Sequence, residues 1–123
     1  IACWSGNDDE AHESRHKAKS HGVISVTSNL IPSVFRELMD RENNELNDQC
    51  QQLMAWLFCE PNPIAINTAL ALSGAVKPVF RLPYVPLNDK QIETGMGLMR
   101  QFEDKLVGNS LNQLAQSDFI VTP

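Results

Sequence analysis

The sequence predicts an α/β fold, and three observations carry that reading. A strand–helix–strand pattern opens the chain. Its second strand is short and β-branched between turn signals, the mark of a buried strand. Five expected helices then accompany only these two strands, and everything from about residue 30 onward is predominantly helical.

Ile1–Trp4 is apolar and stops at Ser5-Gly6-Asn7, so it reads as the end of a strand followed by a loop. From Asp8 to about Ser20 the chain is polar and helix-compatible. Asp8, Asp9 and Glu10 stand at its start and Arg15, Lys17 and Lys19 near its end, which suits the helix dipole. Only Ala11 and Ala18 offer it a core face, so this helix is expected to be mostly exposed. His21-Gly22 ends it, and Val23–Thr27 reads as a buried strand. Two strands joined by one helix are expected to be parallel.

Leu30–Met39 forms the next helix. Asn29 can cap it, Pro32 suits its first turn, and Val34, Phe35, Leu38 and Met39 share a face. Glu45–Glu60 carries one apolar stripe of Leu46, Cys50, Leu53, Met54, Leu57 and Phe58. Trp56 falls off that stripe, which marks either a second contact, for example with another subunit, or a partly exposed ring. Pro61-Asn62-Pro63 breaks the helix and starts another, with Asn62 as candidate cap and Pro63 at the first helical position. Ile64–Ser73 is apolar nearly all round, so it is expected to be buried on every side, with Gly74 as its left-handed stop. Pro78–Leu87 has the three prolines of an extended connector. Asn88 and Gln91 then form a capping-box start for a helix lined by Ile92, Met96, Met99, Phe102 and Leu106. Gly108–Pro123 is weakly patterned.

Composition bounds the function. The chain has 123 residues, 42% of them hydrophobic, and a net charge of −5. Those are globular proportions, and the length is too short for a complete (β/α)₈ barrel of about 250 residues. Acidity without a basic stripe argues against nucleic acid and against an anionic membrane surface as partners. The longest apolar run, Ile64–Val76, falls short of the roughly 20 residues of a membrane span. Cys3, Cys50 and Cys59 are odd in number and lack a Cys-x-x-Cys spacing, so free, mostly buried thiols in a reducing compartment are expected. Ile1-Ala2-Cys3-Trp4 shows no initiator Met and no charged leader, so no targeting peptide is visible. A two-stranded parallel sheet leaves open edges and little core. The expectation is therefore the C-terminal part of a longer α/β protein.

One motif needs weighing. His12-Glu13-Ser14-Arg15-His16 matches H-E-x-x-H, which in zinc proteases puts two imidazoles on one helix face with the Glu as base. The surrounding helix lacks the apolar residues of a buried zinc helix, so the expectation is an exposed, charge-rich helix, with no metal site. No nucleophile elbow, phosphate loop or cofactor motif is present, and no cofactor is expected. On position alone, the best functional candidates are Ser5–Asp9 and Thr27–Asn29, which follow the two strands. Ligands of parallel α/β folds bind at the carboxyl ends of strands. Both loops read equally well as helix caps, and Asp8 and Asp9 are assigned to the cap rather than to chemistry.

Four blocks resemble the dihydrodipicolinate synthase family: Ser5–Asp9, Gly22–Asn29, Leu57–Ile64 and Phe80–Leu87. Their order and spacing match from Trp4 to about Leu106. The Glu60-Pro61-Asn62-Pro63-Ile64 block favours this family over sibling aldolases such as N-acetylneuraminate lyase. Asn7, Asn67 and the run Arg81–Leu87 resemble the plant-type branch.

The resemblance implies the last two β/α units of a (β/α)₈ TIM barrel (residues 1–40) plus a C-terminal helical extension and tail (41–123), usually in a homotetramer. It implies condensation of pyruvate with aspartate semialdehyde in the diaminopimelate route to lysine, in the plastid stroma. In that family a strand lysine forms a Schiff base with pyruvate, a tyrosine relay moves protons and an arginine holds the second substrate. None of these positions falls in this chain, so no catalytic residue is expected here and the chain alone is expected to be inactive. Lys17, Lys19, Lys77, Lys90 and Lys105 lie on helices and the connector, and Tyr84 does not match the catalytic tyrosine. By resemblance the substrate-binding positions are Ile24, whose backbone carbonyl would lie beside pyruvate, and Gly6 and Asn7, which would flank the second substrate. The competing expectations are a sibling pyruvate aldolase and a non-catalytic helical oligomerisation module.

Overall fold

Two short parallel ladders and five helices make up the computed structural model, which describes residues 1–123. The first ladder joins β1 (Trp4–Ser5) to β2 (Gly22–Val23), with Trp4 opposite Gly22 and Ser5 opposite Val23. The connecting helix, α1, is Asp8–His16. A 3₁₀ turn at Thr27–Asn29 leads into α2 (Pro32–Asp40). The strand–helix–strand unit is thus parallel as expected.

Both strands are shorter and more exposed than the sequence suggests. Each has one neighbour only and two residues pair. In the second run Val23 and Val26 pack against the core and Thr27 is buried, while Ile24 projects to solvent. Trp4 is 57% exposed and Ile24 78%, although the second run reads as a buried strand. Apolar β-branched sequence reports what a strand could bury, and here nothing covers its second face. The expected strand also stops short of Thr27, which turns into the 3₁₀ segment instead.

Helix α1 ends at His16, earlier than Ser20, and Lys19 takes a left-handed φ of 61°. Ala11 is buried as expected, but Ala18 is exposed. Asn29 does not cap α2. Its Nδ2 donates to the Ser25 and Val26 carbonyls, and α2 begins after Ile31 with Pro32 in its first turn.

The helical part follows its periodicity closely. In α3 (Asn44–Leu57), Cys50, Leu53, Met54 and Leu57 are buried, and Asn43 Oδ1 caps the helix by accepting from the Leu46 amide at 3.0 Å. Phe58, the last residue of the stripe, lies past the helix end and is exposed. In α4 (Ile64–Leu72) only Asn67 is fully exposed. Its expected cap, Asn62, makes no capping bond, because Pro63 occupies the N-cap position. Gly74, at φ 76°, stops α4 in a complete Schellman motif. The Gly74 amide donates to Ala71 O and the Ala75 amide to Leu70 O, both at 3.0 Å. Helix α5 (Asp89–Arg100) starts on the expected capping box: Asn88 Oδ1 accepts from the Gln91 amide and Gln91 Oε1 from the Asn88 amide. Ile92, Met96, Met99, Phe102 and Leu106 are all buried.

Trp56 marks a second contact within the chain. It is buried against α5, where its ring covers Gly95 and its Nε1–H donates to Gln91 O at 2.8 Å.

The connector and tail hold a second ladder the sequence does not announce. β3 (Val79–Arg81) pairs in parallel with β4 (Ile120–Thr122), and Phe80 meets Phe119 edge to face at 5.8 Å. The structure therefore has four strands where the sequence pattern suggests two. The tail is strapped across α4 by bonds from Asn112 N to Leu72 O and from Ser110 Oγ to Ser73 O. Cys50 is buried, whereas Cys3 and Cys59 are exposed, against the expectation of mostly buried thiols. All three are free.

Candidate functional site

Parallel pairing of β1 and β2 brings the two loops at their carboxyl ends side by side. The Ile24 amide donates to Ser5 O at 2.9 Å, extending the ladder by one rung. Gly6 and Asn7 continue beyond Ser5 on one side, and Ile24 and Ser25 lie on the other. The structure thus gathers Gly6, Asn7 and Ile24 in one place, although 17 positions separate Asn7 from Ile24. An ideal Cβ on Gly6 would meet no atom within 4 Å, so this backbone faces open space. No hydrogen bond engages the Ile24 carbonyl.

Local polar contacts shape the first loop. Ser5 Oγ donates to Asn7 O at 3.1 Å and accepts from the Asn7 amide at 3.2 Å. Asn7 holds the N-cap position of α1 but caps nothing with its side chain, which reaches Glu10 Oε2 at 3.5 Å. In the second loop, Ser25 Oγ accepts from the Ser28 amide at 2.9 Å, a side-chain turn. The cap reading of these two loops therefore fails at the level of side chains.

Asp8 departs furthest from expectation. Rather than serving its own helix, its carboxylate crosses to the second loop. Oδ2 accepts from Thr27 Oγ1 at 2.6 Å, from the Thr27 amide at 2.8 Å and from the Val26 amide at 3.2 Å. The residue is 3% exposed, and its Oδ1 has no partner. Only the general preference for acidic residues in a first helical turn was available from sequence, and it pointed to the wrong acceptor role. Asp9 stays exposed.

The H-E-x-x-H pair also turns inward. His12 is buried, and its Nε2 accepts from the Asn43 amide at 3.0 Å. His16 Nε2 lies 2.7 Å from Leu38 O and must donate to it, since a carbonyl only accepts. Both Nε2 atoms are thus committed to backbone. Burial, and then the neighbouring His16, lower the His12 pKa. Arg15 joins this contact by donating to Met39 O and Ser20 O, so α1 presents its basic end to the last turn of α2. The helix expected to be exposed is docked through these three side chains.

A cavity of about 350 Å³ opens beside the first loop, between Asn7–Asp9 and the Gln51, Met54 and Ala55 side of α3, with Phe58 just beyond it. Nothing in the local pattern places α3 there. All five lysines are exposed and none lies on the β1–β2 ladder. No cluster of three or more His, Cys, Asp or Glu side chains has metal-binding geometry. No helix is long and apolar enough to cross a membrane.

Comparison with known proteins gives one consistent result. Residues 1–101 match the dihydrodipicolinate synthetase family model. The chloroplastic 4-hydroxy-tetrahydrodipicolinate synthase of Zea mays is 61% identical over 88 residues, which cover 71% of this chain and 23% of that protein. The chloroplastic enzyme of the same name from Nicotiana tabacum is 49% identical over 124 aligned residues, covering 98% of this chain and 34% of its own length. Among solved structures, the dihydrodipicolinate synthase of Thermotoga maritima superposes with a TM-score of 0.72 at 34% identity, covering 81% of this chain and 36% of that one. The chain thus spans between about a quarter and a third of the curated relatives it matches. Its fold is that of part of a TIM barrel with helices beyond it.

Proposed function

This chain belongs to the dihydrodipicolinate synthetase family, and from that premise we propose that it is the C-terminal part of a plant-type lyase condensing pyruvate with aspartate semialdehyde in lysine biosynthesis. One observation in the structure carries the reading: Ile24 and the Gly6–Asn7 backbone meet at the carboxyl ends of two parallel strands, where barrel enzymes hold their substrates.

In this reading residues 1–40 are the last two β/α units of the barrel and 41–123 are the helical extension and tail. The open Ile24 carbonyl lies beside bound pyruvate, and Gly6 and Asn7 flank the second substrate. The Schiff-base lysine comes from elsewhere in the barrel, in keeping with five exposed lysines, none of them on the ladder. That Schiff base acidifies the pyruvate methyl group, and the resulting enamine attacks the aldehyde. No metal or cofactor enters this chemistry. The whole enzyme assembles as a homo-oligomer, a tetramer, in the plastid stroma; the chloroplastic names of the plant relatives support that location.

The test is a chimera in which this chain replaces the matching segment of the tobacco enzyme. Pyruvate and borohydride should leave a stable adduct on the chimera and none on the 123-residue chain alone. A folded chimera without an adduct, or an adduct on any of this chain's lysines, would refute the proposal.

A further inference from the structure

We propose that Asp8 is a positioning residue of this site. Its buried carboxylate fastens the loop after β1 to the turn after β2 and so sets the direction of the Ile24 carbonyl. The proposal rests on the functional reading above and extends it to a residue that reading does not use.

The two loops are fastened at both ends. At the near end the Ile24 amide bonds Ser5 O at 2.9 Å. At the far end Asp8 Oδ2 takes the Thr27 hydroxyl and the Thr27 and Val26 amides. Gly6 and Asn7 lie between the fastenings on one side, and Ser25 and the Ile24 carbonyl on the other. That carbonyl makes no hydrogen bond of its own, so its direction is set by these two ties between the loops, together with the bonds of Ser25 to Ser28 and Asn29 inside the turn. One carboxylate oxygen accepting three bonds holds the turn at the Thr27 hydroxyl and at two successive amides.

Helix α1 does not depend on Asp8 for its place. Ala11 and His12 are buried, and Arg15 and His16 bond the end of α2. Loss of the carboxylate should therefore free the Val26–Thr27 turn locally and leave the helix docked. A shift of about 1 Å in a substrate-facing group can cost a hundredfold in rate.

The conservative substitution separates the tie from the charge. Oδ1 has no partner, so Asp8→Asn can place its oxygen at the Oδ2 position and its amide nitrogen at the other. The ties are then kept and the charge is lost.

In the chimera described above, Asp8→Ala should raise KM for pyruvate about tenfold or more per folded enzyme, and Asp8→Asn should restore most of that loss. In the 123-residue chain, Asp8→Ala should speed hydrogen exchange at the Val26 and Thr27 amides while the α1 amides stay protected. A residue that merely supported folding would lower the folded fraction without moving KM. Unchanged KM for both substrates in folded Asp8→Ala, an Asp8→Asn variant as impaired as Asp8→Ala, or unchanged exchange at Thr27 would each overturn the proposal. A wild-type chimera without a pyruvate adduct refutes the functional reading instead, and the exchange result still decides whether Asp8 ties the loops.

Discussion

Gly95→Ala should destabilise this chain, although alanine is the better helix former. Gly95 is buried on α5 beneath the Trp56 ring, and an added Cβ would land inside the contact surface of ring atoms Cζ2 and Cε2. The indole cannot slide away freely, because its Nε1–H is fixed to Gln91 O at 2.8 Å and the residue is 6% exposed. Overpacking a filled core costs about 1–3 kcal/mol, and this contact with a rigid ring belongs at the upper end. Displacing the indole loses its hydrogen bond, about 1 kcal/mol more. Replacing a helical glycine by alanine returns about 1 kcal/mol. The net expectation is a loss of about 3 kcal/mol. Equilibrium urea unfolding followed by circular dichroism measures it, and a Trp56→Ala background tests the cause. With the ring gone, Gly95→Ala should stabilise by up to about 1 kcal/mol, so the sign reverses between the two backgrounds. Equal effects in both backgrounds would refute the steric argument, as would a stabilised Gly95→Ala single variant.

His12 should make stability fall on acidification. Its folded pKa lies below the usual 6.5, so stability is complete above 6.5 and is lost as pH drops through the lower folded value. Unfolding midpoints across that range should decline in the wild type and decline less in His12→Gln. Gly74→Ala should cost about 1–2 kcal/mol through its left-handed φ alone. Because its Cβ would also sit 2.5 Å from Ser110 Oγ, proteolysis should cut the tail near Ser110 faster than in the wild type. Iodoacetamide at pH 8 should label Cys3 first. Cys59 should follow more slowly, since burial and then Glu60 raise its pKa, and Cys50 should react only in urea, since burial lifts its thiol to about 11. Mass spectrometry of the labelled peptides reads the order.

Features encoded within a few residues were legible in advance. The Asn88–Gln91 capping box, the Gly74 stop and the buried stripe of α3 each depend on neighbours within one or two helical turns. Local signals failed where two partners competed for one role. Asn29 and Asn62 have the right chemistry for caps, but Asn29 turns back to Ser25 and Val26, and Pro63 takes the cap position from Asn62. The site was legible only in part. Resemblance pointed to Gly6, Asn7 and Ile24, which the fold brings side by side, whereas Asp8 read as a helix-end acid because its partners lie 18 and 19 residues away.

What the sequence by itself determined is the set of local elements: which segments are helical, which side α2 to α5 bury, and that the opening strands run parallel. Those follow from periodicity and backbone preference, which act over one or two turns. Tertiary structure alone decided which face meets which. It placed Trp56 on Gly95, turned the H-E-x-x-H histidines inward, drew the tail onto β3 and tied Asp8 to Thr27. Each of these contacts joins residues far apart in the chain. Its strength depends on shape and hydrogen-bond geometry that exist only once the elements are assembled.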